Sequence, residues 1–79
     1  MAMYAEDTLT YRSKGEDVSS LKWLLRQCGY GDHLDHSDVY DRYTEKAVMK
    51  FQWSQGLPAH GVADNETFDR LIALADKAT

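Results

Sequence analysis

Val18, Leu21, Leu25 and Cys28 recur at intervals of three and four residues, with Leu24 beside them. That spacing brings the same face of an α-helix round at each turn, so the segment reads as a helix with one buried stripe. Two further stripes follow: Thr44, Ala47, Val48 and Phe51, then Thr67, Phe68, Leu71, Leu74 and Ala75. Short amphipathic helices must bury such stripes against one another, which predicts an all-α fold, a compact three-helix bundle.

Helix boundaries are read from capping chemistry. Ser13 with Glu16 three residues on reads as a capping box ahead of the first helix, and Gly29 as its stop. Asp41 reads as the cap of the second helix, with Gly56 as its terminator. Asp64 reads as the cap of the third, which has no clear terminator. Gly15-x-x-Val18, Asp41-x-x-Thr44 and Asp64-x-x-Thr67 resemble one another, a weak repetition that suggests similarly packed helices. Between the first two helices, "YGDHLDHSDVY" reads as a polar loop whose apolar members Leu34, Val39 and Tyr40 pin it to the core. "GLPAHGVAD" is a short turn without structure of its own.

A chain of 79 residues holds one domain. The boundaries expected are residues 13–76 for the bundle, with residues 1–12 packing on it and bringing Met3, Tyr4, Leu9 and Tyr11 as apolar groups. With one cysteine an internal disulfide is excluded, so helix packing or a partner supplies the stability. The net charge of −4 argues against nucleic acid and against anionic membranes, and no apolar run approaches a membrane span. The N-terminus lacks a basic region followed by an apolar stretch, so no secretory signal is seen and synthesis in the cytoplasm is expected.

Phe51 and Trp53 cannot both lie on one helical stripe. At about 100° per residue Phe51 joins Thr44, Ala47 and Val48, while Trp53 projects to the other side near Met49 and Lys46. Trp23 likewise falls off the stripe of the first helix. Exposed indoles suit a recognition surface, stacking on a sugar ring or a peptide or anchoring a protein; the bland alternative is packing beneath the N-terminal segment.

The chemistry-bearing residues do not assemble into an active centre. His33 and His36 lie among Asp32, Asp35 and Asp38, but this pattern reads as a solvated loop rather than a tetrahedral metal set. No metal or cofactor is expected. The carboxylates do not read as a glycosidase pair, and Cys28 reads as a small buried apolar residue rather than a nucleophile. The chain is not expected to be an enzyme.

Gly15, Val18 and Leu21, then Gly29-Tyr30, Tyr40, Thr44, Ala47-Val48, Phe51-Gln52, Gly56-Leu57, Gly61-Val62, Thr67 and Leu71 stand in one order over about residues 9 to 74. This order resembles the peptidoglycan-binding domain family, small three-helix modules appended to cell-wall hydrolases. Departures are Lys22 where the family usually has glutamine, Cys28 where it has leucine, Asp38 and Asp41 where its loop has glycines, and His60 where it has aspartate. The resemblance implies a non-catalytic module that binds peptidoglycan and targets a partner or fused hydrolase to the wall. The protein would act there within a larger protein, or after lysis or secretion.

Ligand contacts are then expected at Tyr30, Asp38, Tyr40, Asp41 and Tyr43, with Trp53 and His60 nearby; Tyr40 is the member best suited to the core, since the family buries an aromatic there. The alternative is a protein-interaction module on the same fold, such as an accessory of a phage or secretion assembly, with Trp23, Met49 and Trp53 as contacts. An acidic domain gains nothing electrostatically from anionic wall polymers, which leans toward that alternative.

Overall fold

The three stripes become three helices in the computed structural model, which describes residues 8–78: α1 (Glu16–Gln27), α2 (Arg42–Ser54) and α3 (Asn65–Ala78). Their apolar faces meet in one core. Val18, Leu21, Leu24 and Leu25 come from α1, Ala47, Val48 and Phe51 from α2, and Phe68, Leu71 and Ala75 from α3. Leu9 is added from the N-terminal segment, and Tyr40 and Ala63 from the connections. α1 lies against both other helices. Among the described residues the only β pairings are two isolated bridges, Leu9 with Ala63 and Lys14 with Val39. Of the N-terminal segment, residues 1–7 lie outside the described residues, and with them the expected placement of Met3 and Tyr4.

Two of the three expected caps are built as read. The Asp41 carboxylate accepts from the Thr44 backbone N–H at 3.0 Å and from its hydroxyl at 2.9 Å. Asp64 does the same for Thr67, at 3.0 and 2.7 Å. Each aspartate satisfies a backbone donor that a helix start leaves unpaired, and each threonine hydroxyl finds an acceptor although the residue is buried. α1 and α2 stop where expected, with Gly29 and Gly56 just beyond their last residues.

The first helix starts differently from the reading. Ser13 is not its cap: the Ser13 hydroxyl accepts from the Thr10 N–H, and the N-cap is Gly15, with no side-chain cap bond. The cause is the path of the backbone. Gly15 has φ of 123°, a conformation that disfavours any side chain, and its N–H donates to the Asp38 carbonyl at 3.0 Å. The entry to α1 is thus set by a glycine bonded to the loop that precedes α2.

The connections are ordered by side chains of the helices they follow. Gln52, fully buried on α2, donates to the Val62 carbonyl (2.8 Å) and the Thr67 hydroxyl (3.0 Å) and accepts from the Gly61 N–H (3.0 Å). The turn after α2, read as lacking structure of its own, is ordered by this amide together with the Leu9 to Ala63 bridge. Tyr40 donates its hydroxyl to the Gly61 carbonyl, tying the first connection to the second.

Losing one side-chain cap costs about 1 kcal/mol. Asp41→Ala and Asp64→Ala should each lower unfolding free energy by roughly that amount in urea denaturation, with helical circular dichroism retained at zero denaturant. No loss in either variant would mean that these carboxylates do not stabilise the helix starts.

Candidate functional site

The loop from Tyr30 to Tyr40 is far from a solvated tether. Lys22 is 1% exposed, an unusual place for a lysine, and its ammonium donates to the Asp35 carboxylate at 2.6 Å and to the Ser37 hydroxyl at 3.2 Å. Arg26, one turn further along α1, donates to the Asp35 carbonyl. Asp35 in turn accepts from the Ser37 backbone N–H (3.1 Å) and hydroxyl (2.9 Å). The Lys22 ammonium is the main cause, and Ser37 the second, of an Asp35 carboxyl held down to about 2. Gly31 lets the loop lie this close to α1, because a β-carbon there would overlap Arg26 Cγ.

Held this way, the loop forms one wall of an open cleft of about 290 Å³ between the end of α1 and the outer face of α2. Tyr30, Asp32 and His33 line it from the loop, and Tyr43, Lys46 and Lys50 from α2. Both aromatic walls are braced. Tyr30 packs edge-on against the buried Phe51 with ring centroids 5.6 Å apart, and His33 lies 5.7 Å from the Tyr43 ring at 36°. Tyr43 remains 55% exposed, so much of its ring is open to a ligand. Flat aromatic faces beside cations and a carboxylate suit binding of an amphipathic polar group, and the volume matches the small end of ligand pockets.

Of the expected contacts, the cleft brings together Tyr30 and Tyr43. Asp38, Asp41, Trp53 and His60 do not line it. Tyr40 is corrected from contact to core: it has no exposed surface, and burial, with the charge of Glu45 second, pushes its phenol well above the usual range. Asp41 is committed to capping α2. His60 accepts at Nδ1 from the Val62 N–H (3.1 Å), with Nε2 3.7 Å from Asp64. Partial burial works to raise the Asp64 carboxyl, but Thr67, with His60 behind it, outweighs this and lowers it.

The tryptophans face outward as the angles require, Trp53 at 80% and Trp23 at 53% exposure, and Met49 is also exposed. Trp23 borders a separate, smaller cleft beside Lys22 and His36. Cys28 is half-buried rather than fully buried; its thiol lies 3.6 Å from the Leu71 carbonyl, and burial raises its pKa. Among the described residues no three His, Cys, Asp or Glu side chains stand together as a metal site.

Lys22, His33, Lys46 and Lys50 were absent from the expected set. Lys46 and Lys50 carried a readable signal, since i,i+4 spacing puts them on one side of α2 with Tyr43. Lys22 stood out only as a departure from the glutamine usual in the family, which does not by itself point to burial.

The fold has known counterparts. A family model described as putative peptidoglycan binding domain matches residues 14–71. The zinc D-Ala-D-Ala carboxypeptidase of Streptomyces albus G is 36% identical over 72 residues, which cover 87% of this chain and 28% of that protein. The Burkholderia AP3 phage endolysin superimposes with a TM-score of 0.78 at 39% identity over 85% of this chain and 25% of the endolysin. The SleB N-terminal domain gives a TM-score of 0.83 at 27% identity, covering 90% of this chain and 96% of that structure. A peptidoglycan-binding protein from Clostridioides difficile gives the same score and identity, over 90% of this chain and 44% of that one. The chain spans about a quarter of the length of the carboxypeptidase and of the endolysin.

The Lys22 to Asp35 pair has a pH signature. The folded carboxyl sits near 2, below its ordinary 3.8, so its stabilising contribution is complete above about pH 4 and is lost as pH falls through about 2. The stability gap between the wild type and Asp35→Asn should therefore narrow from pH 4 to pH 2 in parallel urea titrations. A gap that stays constant over that window would refute the coupling.

Proposed function

This chain belongs to the putative peptidoglycan-binding domain family, and from that premise we propose that it docks on bacterial peptidoglycan without catalysing a reaction and keeps a linked hydrolase at the wall. The observation that carries the reading is the family match across residues 14–71, which takes in the whole of α1, α2 and the two connections. Its support at the level of the site is the Tyr30 and Tyr43 cleft, braced from behind and open in front. The relatives include a carboxypeptidase and an endolysin, each about four times the length matched, which fits a module joined to a catalytic part. They do not favour the protein-interaction alternative.

The physical advantage of such a module is effective concentration. A weak anchor on a short linker holds an attached enzyme at roughly millimolar local concentration without altering its chemistry. In this reading the enzyme and the site of action at the wall follow from the linked part, and Tyr30 and Tyr43 are the primary contacts. Asp38, Trp53 and His60, outside the cleft, are secondary contacts for a polymer that extends past it.

Co-sedimentation with purified sacculi tests this directly. The wild type should pellet saturably, and Tyr43→Ala, folded by circular dichroism, should bind about five- to tenfold more weakly, the worth of one aromatic contact. Trp23→Ala, at the separate, smaller cleft, should pellet like the wild type. A folded wild type that stays in the supernatant with sacculi of several wall chemistries would overturn the proposal.

A further inference from the structure

We infer that the Tyr30 and Tyr43 cleft recognises the carboxylate-bearing stem peptide of the wall polymer rather than its glycan, with Lys46 and Lys50 as the specificity-determining pair; this rests on the wall-binding reading above. The cations of the molecule are unevenly placed. In a chain of net charge −4, α2 alone among the helices is net basic, with Arg42, Lys46 and Lys50 against Glu45. α1 balances two acidic residues with two basic ones, and α3 is net acidic.

Arg42 is already engaged. Its guanidinium bonds to Glu45 at 3.0 Å and lies 3.8 Å over the Tyr11 ring. Lys46 and Lys50 are the two that line the cleft. Among the described residues neither has a carboxylate within ion-pair distance. Two such ammonium groups, one helical turn apart, offer fixed positive charge to an anion entering between the tyrosines.

The polymer presents two chemistries. Its glycan is built of N-acetylated sugars whose lactyl carboxyl is consumed in the amide bond to the peptide, so an unbroken strand is essentially neutral. Its stem peptide keeps free carboxylates, at the γ-linked glutamyl residue and at the C-terminus. Tyrosine faces accept a sugar ring or a peptide about equally well, so they do not discriminate. Lysines do, because they gain from a carboxylate and gain little from a neutral ring. Asp32, the one carboxylate of the lining, is placed to accept from the peptide's amide or ammonium donors. A volume of about 290 Å³ suits one or two residues of such a peptide.

The test titrates the full isotope-labelled chain, followed by amide NMR, with three probes: a soluble L-alanyl-γ-D-glutamyl stem peptide, the same peptide with every carboxyl amidated, and a chito-oligosaccharide. The free-acid peptide should shift the amides of Tyr30, His33 and Tyr43. Amidation, or the Lys46→Gln/Lys50→Gln double variant, should weaken binding roughly fivefold, as expected for losing two exposed charge contacts. Both lysines are exposed, so the double variant should keep the wild-type spectrum outside the cleft.

Equal affinity for the amidated peptide, an unaffected double variant, or stronger shifts from the chito-oligosaccharide would each overturn the inference. Sacculi co-sedimentation run alongside separates the two claims. A wild type that pellets while the free peptide leaves the cleft amides unmoved refutes peptide recognition and keeps the wall anchor. One that ignores sacculi yet binds the peptide in the cleft refutes the anchor and keeps the cleft's carboxylate preference.

Discussion

The amide of Gln52 is the interaction on which the arrangement of the second and third helices depends. It lies in the core with no water to turn to, so each of its groups must find a partner inside the protein. It finds them on Gly61, Val62 and Thr67, which lie between ten residues upstream of the midpoint of α3 and its first turn. The Thr67 hydroxyl then donates its own hydrogen bond to Asp64, the cap of α3. A buried polar group that can be satisfied in one way only is a strong specifier of geometry: it permits one path for the turn and one start for the helix.

α1 carries the same device in a different chemical form. Leu21-Lys22-Trp23 and Phe51-Gln52-Trp53 both read buried apolar, buried polar, exposed tryptophan. Successive residues step about 100° around a helix, so the middle residue of each triplet sits at the edge of the stripe, over the connection that follows. Gln52 there bonds backbone, and Lys22 bonds a carboxylate and a hydroxyl. The charged version costs more to desolvate, and it holds the longer connection, the one that forms the cleft wall.

This difference marks how far the sequence could be read. The helices were legible because their stripes are set by backbone period, and Asp41 and Asp64 because a cap acts within three residues. Ser13 misled because the same local logic was overruled by a contact from Gly15 to Asp38, more than twenty residues away. Lys22 was illegible for a related reason: a lysine reads as surface, and its burial exists only once Asp35 and Ser37 have been folded over it. The cleft was half legible. Tyr30 and Tyr43 stood out as aromatics near a loop, but that they line one cleft with α2's lysines is a product of the loop's path, which no spacing encodes.

The uneven placement of charge changes what a net charge of −4 means. Taken as a point, the molecule would be repelled by any acidic polymer. The molecule measures 31 × 27 × 25 Å, while fields in physiological salt decay over about 8 Å. A surface approaching α2 therefore meets Lys46 and Lys50 while carboxylates farther off than that length are masked by ions. The protein behaves as a particle with a sided potential, and encounter with an anionic matrix acts as a sorting of orientations: ionic strength sets how much of the body the matrix can sense.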